Sequence, residues 1–359
     1  MNKKLVAALG VCLLIIAFLA GMLFGRGQNR GNETDVAVTE DSGATAETTG
    51  EEGETPEEPA EEVEQDDSLI PILPELSEPE PDVSHVGEQG GRLNIVYFGD
   101  SQFEVGSADQ KDIPYFVGQY TSSNTYNLAI GGTCASLTVN DSSDFNNWDN
   151  CSFYGMANML AGRIPLDVLE GRYQKTIMEA IDPAEVDYYV ISYGVNDFLN
   201  GRQAHIQGQE SVPYNYHGAL TQGIAALADV SPNAQFILCT PAYTQFFNKA
   251  GVYLGDSHIH DYGIGVFDQY ATQVQHIARG KYLVLDAAFD TMFNLNSTNA
   301  QAYLMDGIHL TERGRNVYAL ALSYLIAKDQ GWTTQELGRI DIDNLDASIG
   351  FLSDIPGNE

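Results

Sequence analysis

From Gly31 to Gly90 the chain contains no Lys, no Arg and no aromatic residue, while about twenty Asp and Glu crowd the same stretch. A segment of that composition cannot bury enough apolar area to offset the entropy of ordering it. It predicts a disordered, self-repelling acidic linker over residues 26–91, able as a coil to reach on the order of 45 Å. Cysteine is scarce too, with four in 359 residues, and this excludes a disulfide-stapled scaffold. No CxxC and no Cys/His spacing of the zinc-binding kind occurs, so no metal is expected. Basic residues are few throughout, 17 Lys and Arg against 50 Asp and Glu for a net charge of -33. Nucleic acid, which recruits its partners through basic surfaces, is therefore not an expected partner.

The one long uncharged run lies before the linker, from Leu5 to Gly25. As a helix it would extend roughly 31 Å at 1.5 Å per residue, enough for a bilayer core. Lys3 and Lys4 precede it, so residues 1–4 are expected in the cytoplasm and the remainder outside. The predicted localisation is the cell membrane, single-pass, with 5–25 as the anchor. A cleaved signal peptide, giving a secreted protein, is the alternative, although no clean small-x-small site follows the run. Cys12 has no convincing lipobox around it. Of the remaining cysteines, Cys239 closes an apolar strand and reads as a buried thiol, while Cys134 and Cys151 fall in expected loops and could pair.

From about Arg92 short apolar runs alternate with helical periodicity. Expected strands are Leu93–Phe98, Tyr126–Ile130, Val186–Tyr193, Gln235–Thr240 and Tyr282–Leu285. Expected helices are Ile164–Ile181, Gly218–Val230, Phe267–Ala278 and Tyr318–Lys328. Such alternation predicts an α/β sandwich on a mostly parallel sheet, spanning 92–330, with 331–359 as a C-terminal extension. Reactive groups in such sheets gather at the carboxyl ends of the strands.

Three strings obey that geometry: Gly99-Asp100-Ser101 after the first strand, Gly194-Val195-Asn196-Asp197 after the third, and Asp306-Gly307-Ile308-His309 before the last helix. A serine, a histidine and an acid can form a nucleophile, its base and the group that orients the base. Each string alone is weak. Gly255-Asp256-Ser257 repeats the first but follows the Asn string and trails no comparable strand. Asp82-Val83-Ser84-His85 repeats the last but lies in the linker, upstream of the serine. For Asp197 a structural role is expected. His258 and His260 read as loop residues near the substrate, without a third metal ligand at helical spacing, and His205, His217 and His276 receive no role.

Taken together, the strings resemble the blocks of the SGNH, or GDSL-type, hydrolases, a family of esterases and acylhydrolases, over about Leu93 to Leu325. The resemblance implies a three-layer α/β/α sandwich with a five-stranded mostly parallel sheet. It makes Ser101 the nucleophile, His309 the base and Asp306 the orienting acid. The oxyanion hole would be the main-chain N–H groups of Ser101 and Gly132 and the side-chain amide of Asn196. The second block corresponds to Asn127-Leu128-Ala129-Ile130-Gly131-Gly132. Its usual inner glycine is Ala129 here, and the doubled Gly131-Gly132 leaves two candidates for the donor. Gln102 stands where many members carry Leu. No cofactor is implied.

The expected activity is hydrolysis of small acyl esters, O-acetyl on carbohydrate, by an extracytoplasmic serine esterase. An O-acyltransferase using the same triad, or a catalytically silent glycan-binding module, are the alternatives; the oligomeric state is open. Expected partners are an ester-bearing small molecule or acetylated glycan and, through the N-terminal helix, the membrane. Aromatics among polar residues in 141–154 and 243–262 (Phe145, Trp148, Phe153, Tyr154, Tyr243, Phe246, Phe247, Tyr253) suit a sugar, or else pack those loops onto the domain.

Overall fold

The computed structural model describes residues 69–357 apart from 75, 85, 87–89, 138–150 and 290–291. All of them belong to one unit, 64–359. The anchor expected at 5–25 lies outside the described residues. Among those described, no helix is long and apolar enough to cross a membrane.

Five parallel strands form the central sheet: β1 (Asn94–Gly99), β2 (Asn124–Asn127), β3 (Tyr188–Ser192), β4 (Gln235–Cys239) and, last in the chain, Leu283–Leu285. Two short strands intervene, β5 (Gln245–Phe247) and β6 (Tyr253–Asp256), and pair antiparallel as a separate hairpin. Leu283–Leu285 is therefore β7, and the sheet order is β2-β1-β3-β4-β7. The helices are α1 (Ser101–Glu104), α2 (Ile113–Thr121), α3 (Phe153–Leu160), α4 (Tyr173–Glu179), α5 (Val195–Leu199), α6 (Tyr216–Val230), α7 (Asp268–Ala278), α8 (Ala300–Tyr303) and α9 (Glu312–Asp329).

Side chains alternate across a strand, so each strand feeds two cores. Val96 and Phe98 join Tyr189, Ile191 and Leu238 beneath α3, α6 and α7. Ile95 and Tyr97 join Tyr188, Val190 and Ile237 beneath α2 and α9. This is the three-layer α/β/α sandwich. Leu320 and Leu322 of α9 are fully buried, as are Leu227 of α6 and Phe153 of α3. Fully burying such a side chain is worth about 1.5–3 kcal/mol.

Several sequence expectations change. The strand expected at Tyr126–Ile130 is Asn124–Asn127, because Asn127 ends it by turning its side chain onto neighbouring backbone. The helix expected at Ile164–Ile181 is broken: a single 3₁₀ turn at Asp167–Leu169 is followed by Gly171 at φ +79° and only then by α4. The extension 331–359 is not separate from the domain, since Ile340, Ile342, Phe351 and Ile355 are buried in the same core as α9. The linker drawn to residue 91 also ends earlier. Pro71 is buried, and Leu73 and Val83 pack against the core on the α3 and α6 side. Cys134 and Cys151 are both half-buried.

Candidate active site

β1 delivers Ser101 to the carboxyl edge of the sheet. The strand stops at Gly99, where a Cβ would lie 2.7 Å from the Phe103 ring. Asp100 then caps α1, its carboxylate accepting the Gln102 N–H at 3.0 Å. Ser101 is thus the first helical residue, a position whose N–H has no intrahelical acceptor.

His309 Nε2 lies 2.9 Å from Ser101 Oγ, and His309 Nδ1 lies 2.7 Å from Asp306 Oδ2. The other carboxylate oxygen of Asp306 accepts the main-chain N–H groups of Ile308 and His309 at 3.0 and 2.8 Å. Burial raises the Asp306 pKa, but the His309 ring and these N–H groups outweigh it and hold the carboxyl below its ordinary value. Gly307 makes the tight turn possible. Its φ is +93°, and a Cβ there would lie 2.5 Å from the Gln245 carbonyl oxygen and 2.7 Å from the Phe247 ring. The β5–β6 hairpin closes this contact through the Gln245 N–H, which donates to the Gly307 carbonyl at 2.8 Å. Gln102 ties the two halves together, its amide donating to the Ile308 carbonyl at 2.8 Å.

The second string forms the neighbouring loop. Asn127 accepts the Ala129 N–H and donates to the Phe103 carbonyl at 2.8 Å, which fastens the loop to α1. The doubled glycine divides its labour. The Gly131 N–H is taken by the Glu104 carboxylate at 2.7 Å, while Gly132, at φ +76°, follows it. Glu104 also accepts from the Tyr173 hydroxyl at 3.2 Å, and its pKa is pushed up by burial. Gln174 holds the loop from below, donating to the Ala129 carbonyl at 2.8 Å.

Asn196 follows Gly194, whose φ of +141° lets the backbone pass where a Cβ would meet the Pro241 ring at 2.7 Å. Its amide is buried and donates to Asp100 Oδ2 at 3.2 Å and to the Thr133 carbonyl at 3.0 Å. Asp197 is structural: it accepts the N–H groups of Ala135 and Ser136 and the Ser136 hydroxyl, at 2.8, 3.0 and 2.6 Å. Burial pushes Asp100 up to about 7 and Asp197 up to about 6, in each case against the hydrogen bonds that favour the ionised form. Of the three carboxyls Asp100, Asp197 and Asp306, only Asp306 is held below its ordinary value.

The rejected strings resolve differently. Ser257 is buried in the hairpin, its hydroxyl accepting the Thr244 N–H at 2.6 Å and donating to the Thr244 carbonyl. His258 pairs with Asp268, and His260 stacks on Tyr262. Among the described residues no group of three or more His, Cys, Asp or Glu could hold a metal ion. Of the expected substrate-loop aromatics, Phe145 and Trp148 lie outside the described residues. Phe153, Tyr243 and Phe246 are core residues, packed because their rings are the largest apolar surfaces available there. Glu104 and Tyr173 were not singled out in the sequence. Glu104 had a signal, its i+3 spacing from Ser101 on one helix face.

A sequence model described as GDSL-like Lipase/Acylhydrolase matches residues 95–322. No curated protein sequence matches the chain. Among solved structures, a protein from Lactobacillus plantarum is 16% identical, with 66% of this chain and 97% of that one covered and a TM-score of 0.46. Est24, a carbohydrate acetylesterase from Sinorhizobium meliloti, is 13% identical over 66% of this chain and 99% of its own, with a TM-score of 0.40. A family two carbohydrate esterase from Clostridium thermocellum is 15% identical over 72% of this chain and 67% of its own, with a TM-score of 0.39. The matched span 95–322 takes in Ser101, Asn127, Asn196, Asp306 and His309 and covers well over half of the sequence, so the chain belongs to the GDSL-like lipase/acylhydrolase family.

Proposed function

We propose that this serine hydrolase removes small acyl groups, O-acetyl above all, from carbohydrate. The observation that carries the reading is the hydrogen-bonded chain from Ser101 Oγ through His309 to Asp306. Ser101 is a poor nucleophile until its proton leaves. His309 Nε2 stands within hydrogen-bond reach to take that proton, and the Asp306 carboxylate holds the ring in the tautomer with the proton on Nδ1. Attack on the ester carbonyl gives a tetrahedral oxyanion. The N–H groups of Ser101 and Gly132 stabilise it, joined by the Asn196 amide once it releases one of its two bonds, to Asp100 or to the Thr133 carbonyl. Gly132 is the donor of the glycine pair because Glu104 already holds the Gly131 N–H. His309 then returns the proton to the leaving alcohol, and water, activated by the same ring, hydrolyses the acyl-enzyme.

In this reading the run Leu5–Gly25 anchors the chain and the domain works outside the membrane. A cleft of about 560 Å³ containing Ser101 and His309 also bears Tyr173, Gln174, Glu104 and Arg172. Its mixed polar and apolar lining suits one or two sugar units and a short acyl group rather than a fatty chain. On aryl esters, kcat/KM is expected to be highest for acetate and to fall beyond butyrate, and acetate should be released from acetylated xylan or peptidoglycan. A maximum at octanoate or longer overturns the carbohydrate reading.

The oxyanion assignment has its own test. Asn196→Ala is expected to lower kcat on the order of 10²–10³-fold. It also strands the Asp100 carboxylate and the Thr133 carbonyl in the interior, so a stability loss of about 1–3 kcal/mol should accompany it. Steady-state kinetics on the fraction that remains folded separates the two effects. An unchanged kcat there removes Asn196 from the oxyanion hole.

A further inference from the structure

The segment upstream of β1 does not leave the domain. The Ile72 N–H donates to the Phe247 carbonyl at 3.1 Å, and the Glu78 carboxylate accepts the Gly106 N–H at 2.8 Å. Leu73 and Val83 pack against the core at either end. Between these fixings, Leu73, Pro74 and residues 76–81 line the same cleft as Ser101 and His309. The chain before the family's first block thus supplies part of the surface that a substrate must pass.

That surface is acidic. Among the described residues, the charged side chains lining the cleft besides His309 are Glu78, Glu80 and Glu104, against Arg172. Glu78 lies close enough to Glu104 for its charge to raise the Glu104 pKa, and Glu80 does the same to Tyr173. We propose that residues 73–74 and 76–81 form a wall of the substrate cleft, and that Glu78 and Glu80 make the site select uncharged esters over anionic ones. The inference rests on the esterase reading and deepens it. The attack of Ser101 creates a negative charge at the ester carbon's oxygen, and a second anion on the substrate would enter a cleft whose described lining carries three carboxylates against the Arg172 guanidinium, with Arg315 beside Glu78 offsetting part of that charge. The favoured natural substrates are then O-acyl groups on neutral sugars, not on uronic or sialic acids.

The test uses the full chain and two esters of one skeleton, methyl 4-acetoxybenzoate and the 4-acetoxybenzoate anion. The ratio of their kcat/KM values is read for the parent protein and for Glu78→Gln combined with Glu80→Gln. Glutamine keeps the oxygen that accepts the Gly106 N–H, so charge changes while the anchor stays. At low ionic strength the neutral-to-anionic ratio is expected to fall about fivefold in the double variant, and high salt should shrink the parent ratio by a similar factor. Glu80→Gln alone, which leaves the Glu78 anchor untouched, should give part of the same fall. Equal ratios in the parent and both variants overturn the proposal while leaving the esterase standing. Failure of the parent protein to hydrolyse the neutral ester overturns the esterase reading itself, and the wall's selectivity with it.

Discussion

Ser101→Ala is expected to lower kcat on aryl acetates on the order of 10⁵-fold or more, His309→Ala by about as much, and the pair together by little more. The reason is geometric. The hydroxyl and the ring form one hydrogen-bonded unit at 2.9 Å, and neither half does the chemistry without the other. Removing the hydroxyl leaves no nucleophile, and removing the ring leaves a hydroxyl with nothing to take its proton. What survives is the background supplied by binding and by the oxyanion donors. Ser257→Ala is the control. That hydroxyl is spent on both main-chain groups of Thr244, so its loss should loosen the hairpin without touching the rate constant of the folded enzyme. Kinetics paired with thermal melts checks all four variants. Activity that survives Ser101→Ala and dies with Ser257→Ala would mean that the nucleophile is misassigned.

Asp306→Asn should cost about 10⁴-fold in kcat with little change in melting temperature. An asparagine can keep its carbonyl oxygen toward the N–H groups of Ile308 and His309, so the turn survives. What faces His309 Nδ1 is then an amide N–H in place of a carboxylate. The ring must accept there, which moves its own proton to Nε2 and points it at Ser101. The base is lost although every atom stays nearly in place. A variant retaining more than a tenth of parental kcat would show that the carboxylate is dispensable; a large drop in melting temperature would show that the loop collapsed instead.

The strings that bring Ser101, Asp306 and His309 together were readable from the sequence because they carry glycines that local geometry demands. Gly99 gives way to the Phe103 ring and Gly307 turns at positive φ against the hairpin, so the residue types next to the reactive groups are constrained as well. The alternation of β1, β3 and β4 was readable for a simpler reason: strands buried on both faces are apolar almost throughout. The break inside 164–181 was not, because its apolar spacing is helical and only Gly171 interrupts it. Nor was the choice between Gly131 and Gly132, since it is made by a side chain, Glu104, from another string. The wall formed by 73–74 and 76–81 was hidden by averaging. Composition over sixty residues reads as acidic linker, while within the brief apolar run Leu69-Ile70-Pro71-Ile72-Leu73 it is Pro71 and Leu73 that dock.

Ser101 and His309 are separated by 208 positions in the chain. A ribosome adding residues from the amino end completes β1 and its serine early, but the ring that faces it belongs to the last fifth or so of the domain. Until Asp306–His309 has emerged and α9 has closed over the sheet, the hydroxyl has no base. The nascent protein is thus catalytically silent for most of its synthesis, and ester cleavage reports completion of a contact between distant parts of the chain, the kind whose formation limits folding rate in parallel sheets.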